Sequence, residues 1–98
     1  MIELGGNIKL DGFNSVDIPT LIVVKKMVGN YAKKISDNIM PVNELFLNLK
    51  ESDNENKIFK LNASLTSEEN KFDSEVEDVN LFFAIDKALQ NIMKEARG

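Results

Sequence analysis

Hydrophobic residues recur along this chain with two periods, and the switches between them mark out the elements. Ile2, Leu4, Ile8 and Leu10 alternate with polar or glycine positions, which predicts a first strand with Gly5-Gly6 as a bulge or bend. GFNSVD reads as a loop. Asp17 is placed to cap a helix that carries Pro19 in its first turn, where a missing N–H costs little. Leu21, Val24, Val28, Tyr31, Ala32 and Ile35 then recur at helical spacing, and Asn38 and Pro41 mark the helix end. The run Ile22-Val23-Val24 is β-branched and would permit a strand, but the length and the three- and four-residue spacing decide for a helix.

From Asn43 the period becomes two. Leu45, Leu47 and Leu49 face one way, and Glu44, Phe46, Asn48 and Lys50 the other. ESDNEN reads as a polar turn. The run from Lys57 to Leu65 turns Phe59, Leu61, Ala63 and Leu65 inward, SEEN makes the next turn, and Phe72, Ser74 and Val76 form the inner side of a last strand. Three successive strands with short turns predict an antiparallel meander. A final helix begins near Val79 with Asp78 or Asn80 as its cap. Leu81, Ile85, Ala88, Leu89, Ile92 and Ala96 line one side of it, and Asp86, Lys87, Gln90, Asn91 and Lys94 the other.

The expected fold is therefore α+β, in the order β-α-β-β-β-α: a four-stranded sheet with both helices packed on one face and the other face wet. At 98 residues the chain is read as a single domain, 1–98. The N-terminus lacks the charged start and long apolar run of a signal peptide, and no apolar run approaches membrane-spanning length, so the expected compartment is the cytoplasm, with no membrane partner.

Composition narrows the chemistry. There is no Cys and no His, hence no thiol nucleophile, no Cys-type zinc site and no imidazole base. No Ser-x-x-Lys pair, Gly-x-Ser-x-Gly elbow or phosphate-binding glycine loop is present, so the chain is read as a non-enzyme without a cofactor. Asp73, Glu75, Glu77 and Asp78 lack the loop pattern of a calcium site and read as the solvated charges of a strand, with no metal expected. The net charge of −4 is unevenly distributed. Residues 42–80 hold four Lys against ten Asp or Glu, a balance of −6; residues 17–38 hold four Lys against two Asp, +2; residues 81–98 hold three basic against two acidic groups, +1. The helical segments are thus mildly basic and the stranded middle acidic, and phosphate binding follows local charge more than net charge.

The element order, the length and two local patterns resemble the ribosome hibernation-promoting factors, also called ribosome-associated inhibitor or sigma-54 modulation proteins, whose fold is related to double-stranded RNA-binding domains. The family's last helix opens with an Asp, an aromatic and Ala-Ile-Asp; here Asp78, Phe82 or Phe83, and Ala84-Ile85-Asp86 fill those places, followed by Lys87, Ala88 and Leu89. Its first helix follows a Thr-Pro-like start; here Ile18-Pro19-Thr20-Leu21 leads to Lys25, Lys26, Tyr31, Lys33, Lys34 and Ile35, and ELGGNIKL is similar to the family's Thr-Gly-containing first strand. The resemblance implies binding to the small ribosomal subunit near the mRNA and tRNA path, and a block on translation in resting cells. The chain departs from the family's strongly basic character, and the long tail some members use to pair ribosomes is not expected here.

Lys25, Lys26, Lys33, Lys34, Lys87 and Lys94 are the candidate RNA-binding residues, against the alternative that they only solvate the helices. Phe46 and Ile58 on the outer sheet face are the candidate surface for self-association or a protein partner, against a cross-strand pair that stabilises the sheet. Phe83, on the polar side of the last helix, either marks a contact surface or is covered by the loop after Asp37, the covered state being preferred. Asp86 either helps arrange an RNA or ligand contact or is structural, facing the helix N-terminal dipole or a nearby Lys, the structural reading being preferred.

Overall fold

The computed structural model describes residues 1–51 and 58–98. Most of the turn expected at ESDNEN, and Lys57, lie outside the described residues. The elements are β1 (Ile2–Leu4), β2 (Ile8–Asp11), α1 (Ile18–Asn38), β3 (Glu44–Glu51), β4 (Phe59–Ser67), β5 (Asn70–Asp78) and α2 (Leu81–Arg97). The α+β class and the two helices are as expected.

The sheet differs from expectation: it has five strands, not four, in the order β1-β2-β3-β4-β5. The first alternating run is a hairpin, with Ile2 opposite Leu10 and Leu4 opposite Ile8. Gly5 and Gly6 both adopt positive φ, at 61° and 82°, a combination that reverses the chain where a bulge would only bend it. β2 and β3 are parallel and joined through α1, while β3, β4 and β5 form the expected antiparallel meander.

The alternation sorts side chains between the two sheet faces. Leu10, Leu45, Leu47, Leu49, Leu61, Ala63, Leu65 and Val76 are buried beneath the helices, where they meet Val24, Val28, Ala32 and Ile35 of α1 and Leu81, Ala84, Ile85, Ala88, Leu89 and Ile92 of α2. α2 packs over β4 and β5, α1 over β2, and the two helices touch. Asn91 ties α2 to β5 by donating to Ser74 Oγ at 3.3 Å. On the outer face, cross-strand pairs of polar groups close the sheet: Lys9 with Glu44 at 3.4 Å, Lys60 with Glu77 at 3.5 Å, and Ser64 donating to Asp73.

Both helices start at side-chain caps. Asp17 accepts from the Thr20 N–H at 3.3 Å, and hydrogen bonding from Thr20 holds its carboxyl below the ordinary carboxylate value. Of the two candidates at the second helix, Asn80 is the cap and accepts from the Phe83 N–H at 3.1 Å. Asp78 stands one step back, accepting from the Asn80 N–H at 2.8 Å. Asn80→Ala strands that donor and is expected to cost about 1 kcal/mol. Thermal unfolding should show a loss of roughly 4–8 °C in Tm.

Candidate nucleic-acid interface

β2 runs parallel to β3, and β5, two antiparallel steps further on, runs the same way. α1 follows β2 and α2 follows β5, so the two helices start at the same end of the molecule and lie parallel. Their C-terminal halves enclose a groove of about 370 Å³ lined by Tyr31, Lys34, Asn38, Gln90, Met93, Lys94 and Arg97.

The floor of this groove is a hydrogen-bonded set joining the helices. The Tyr31 hydroxyl donates to Asp86, and Gln90 Nε2 donates to the other Asp86 oxygen at 3.1 Å and reaches the Tyr31 oxygen at 3.5 Å. The partner of Asp86 is a tyrosine 55 residues away rather than the Lys or helix dipole expected from the sequence. Burial raises the Tyr31 pKa, and the hydrogen bond to Asp86 raises it further. Its neutral phenol is thus favoured by folding, so this contribution to stability is complete below pH 10 and is lost as pH rises through the higher folded value. Tyr31 is the one tyrosine of a chain without tryptophan, so phenolate absorbance reports it alone. Its titration is expected above the ordinary value of 10.0 in the folded protein, and to move down in Asp86→Asn.

Three cations rim the groove. Lys34 lies with Nζ 5.7 Å from the centre of the Tyr31 ring, and Lys94 and Arg97 occupy the last turn of α2. None of the three is in a salt bridge among the described residues; those present are Lys9–Glu44, Lys60–Glu77 and Lys87–Asp78. These three cations supply N–H donors of the kind that phosphate oxygens accept from, while the amide of Asn38 donates to the Lys34 carbonyl at 3.1 Å and that of Gln90 to Asp86.

The six lysines singled out from the sequence do not all meet. Lys34 and Lys94 reach the groove. Lys26 and Lys33 are exposed on the outer side of α1, and half-buried Lys25 lies on its flank away from α2, by helical geometry. Lys87 leans toward the β5 edge, 3.7 Å from Asp78. Sequence reasoning left out Arg97, Asn38, Gln90 and Met93. The signal was there in part: Gln90, Met93, Lys94 and Arg97 recur at three- and four-residue steps along one side of α2.

The apolar candidates also separate. Phe46 lies half-buried opposite Lys9 and Ser64, in a hollow shared with Asn48, Asn62, Asp73 and Glu75. Ile58 precedes β4, six residues from Ser64, or about 20 Å along the strand direction. The two form no common patch. Phe83, expected to be covered, is 64% exposed. Among the described residues no group of three or more Asp or Glu could hold a metal, and no helix is long and apolar enough to cross a membrane.

No family model and no curated protein matches the chain. Solved structures do. The N-terminal domain of Protein Y from Thermus thermophilus is similar over 92% of each chain, with 17% identity and a TM-score of 0.61. A ribosomal subunit interface protein from Coxiella burnetii is similar over the same shares, with 17% identity and a TM-score of 0.51. The chain thus shares the fold of these two proteins, as the resemblance read from its sequence implied.

Proposed function

We propose that this chain is a non-enzymatic, ribosome-associated protein of the cytoplasm that binds small-subunit RNA along its helical layer and thereby modulates translation. The observation that carries this reading is the groove in which Lys34, Lys94 and Arg97 converge, none of them in a salt bridge among the described residues. A ribosomal subunit interface protein of the same fold gives the reading its partner. The expected kinship with double-stranded RNA-binding domains belongs to the same proposal, as does the treatment of residues 1–98 as one domain.

The acidic net charge does not oppose the reading, because the charges are segregated. The two helical segments, 17–38 and 81–98, hold seven cations against four acids, a balance of +3, while Asp73, Glu75 and Glu77 project from the outer sheet face on the other side. An RNA approaching the helices meets the positive layer first, and at physiological salt charges beyond roughly 8 Å are largely screened.

Within this proposal the groove cations and the outward Lys26 and Lys33 make the phosphate contacts, and Lys25 and Lys87 contribute less. Comparing two triple variants in co-sedimentation with small ribosomal subunits tests it. Lys34→Glu/Lys94→Glu/Arg97→Glu should lose more binding than Lys26→Glu/Lys33→Glu/Lys87→Glu. Equal retention of binding by both variants would reject the helical layer as the RNA surface.

A further inference from the structure

The sheet ends in two unlike edges. β1 closes one side with 3 residues, whereas β5 presents 9, Asn70–Asp78, and no strand among the described residues pairs with its outer side. Natural sheets blunt a long edge with a proline, a bulge or an inward-pointing charge. Between its ends β5 has none of these. Its register with β4 runs unbroken from Asn70 to Asp78, and Phe72, Ser74 and Val76 turn inward.

The turn before β5 decides which backbone groups face out. Ser67 and Asn70 close a hairpin around Glu68 and Glu69, with Glu68 at positive φ, and such a hairpin closes on a hydrogen-bonded pair. The pairs then alternate, so Lys71, Asp73, Glu75 and Glu77 turn their N–H and C=O groups away from β4. Thr66, opposite Lys71, agrees: its carbonyl accepts from the Asn43 N–H at 2.9 Å, on the β3 side. The same four residues are exposed, with their side chains on the outer sheet face. Every second residue of this edge thus offers a donor and an acceptor that no strand takes up, and Asp73, Glu75 and Glu77 each add a carboxylate beside them.

We propose that the β5 edge takes up an extended basic peptide segment of another protein as a sixth strand. Main-chain hydrogen bonds to Lys71, Asp73, Glu75 and Glu77 would hold it. Side chains opposite one another in a sheet share a face, so Arg or Lys at alternate peptide positions would face the three acids. The positions between them would turn inward beside half-buried Phe72, which suits apolar side chains. Behind the acids the outer face holds a hollow of about 450 Å³, lined in part by Phe46, Asn48, Asn62, Asp73 and Glu75, which leaves room for long basic heads.

Charge selects this occupant. Residues 70–78 hold one Lys against four acids, a balance of −3. Glu75 stands opposite Asn62 and is in no salt bridge among the described residues, and the exposed Lys60–Glu77 pair is a weak competitor. A second copy suits the edge less well. In full antiparallel register it sets Asp73 against Glu75 twice at the centre, with Lys71 opposite Glu77 as the offset. The edge belongs to the sheet and the cationic groove to the helical layer, so the inference stands independently of the RNA reading.

Fluorescence anisotropy with a labelled peptide of alternating Arg and Val, together with hydrogen exchange of the complex, tests it. The comparison is Asp73→Asn/Glu75→Gln/Glu77→Gln, which removes the charges, keeps the side-chain shapes and is expected to stay folded by circular dichroism. The peptide should bind the wild type and slow exchange at the Lys71, Asp73, Glu75 and Glu77 amides at least tenfold. The variant should bind at least tenfold more weakly, and so should a peptide N-methylated at its Arg residues. Absence of binding overturns the proposal. So does an N-methylated peptide or a variant that binds as well as the original pair, or protection of the same amides by rising protein concentration alone, which would give the edge to a second copy.

Discussion

Lys34→Glu/Lys94→Glu/Arg97→Glu is expected to weaken binding to small ribosomal subunits by about 100-fold or more, with the fold retained. The three side chains rim one groove, so a phosphate held there would lose three attractive partners and face three repulsive ones. Losing about 1 kcal/mol at each of three contacts is roughly 3 kcal/mol in all, and each 1.4 kcal/mol is tenfold in affinity. Loss of the contacts should also flatten the salt dependence, since each neutralised phosphate contributes about 0.7–0.9 to the slope. The cost to stability is smaller. Lys94 and Arg97 lie in the last turn of α2, where cations favour the dipole by roughly 0.3–1 kcal/mol each. Circular dichroism and Tm, measured beside the binding, separate the two effects. Loss of binding together with loss of helicity would mean only that the variant unfolds. A folded variant that binds like wild type would remove the groove from the RNA surface.

The second large effect is on folding. Gly12→Ala is expected to destabilise the protein by about 3 kcal/mol or more, whereas Gly29→Ala should stabilise it by roughly 0.5–1 kcal/mol. Gly12 has φ +81°, and a Cβ there would lie 2.1 Å from the Leu49 carbonyl oxygen and 3.1 Å from its carbon. Leu49 is held in β3 opposite Leu61, so its carbonyl cannot swing away without breaking the ladder. The left-handed backbone alone costs an alanine about 1–2 kcal/mol, and the overlap adds a backbone shift. Phe13, fully buried in the core, follows immediately, so the strain falls where β2 hands the chain to α1. Gly29 is mid-helix in α1 with nothing within 4 Å of an added Cβ, and gains helix propensity alone. Urea unfolding of the two variants checks the opposite signs; a Gly12→Ala midpoint within error of wild type would contradict the packing at Leu49.

Much of the fold was legible in local pattern. The Asp17–Pro19 start of α1, the leucines of β3 and the face of α2 each follow from a period and a cap, which neighbours in sequence suffice to set. What failed depended on conformation or on distant pairing. Gly5-Gly6 is compatible with either a bulge or a hairpin, and only the two positive φ values decide for the hairpin and the fifth strand. Phe46 and Ile58 share a strand parity, but the register that parts them is fixed by β3–β4 pairing. The groove was half legible: its lysines stood out, yet the parallel course of the helices, which brings Tyr31 to Asp86 and Lys34 beside Lys94 and Arg97, follows from the parallel β2–β3 step. Phe83 was expected under the loop after Asp37, and its exposure became visible only once both helices were placed.

In the proposed function the helical layer binds ribosomal RNA through phosphate contacts. The most direct test is the affinity of the wild-type protein for purified small ribosomal subunits across a salt series. Phosphate contacts by the three groove cations, Lys26 and Lys33 predict that log K falls linearly with log salt with a slope of about −3.5 to −4.5. Absence of binding at low salt, or binding that salt leaves unchanged, would contradict the claim.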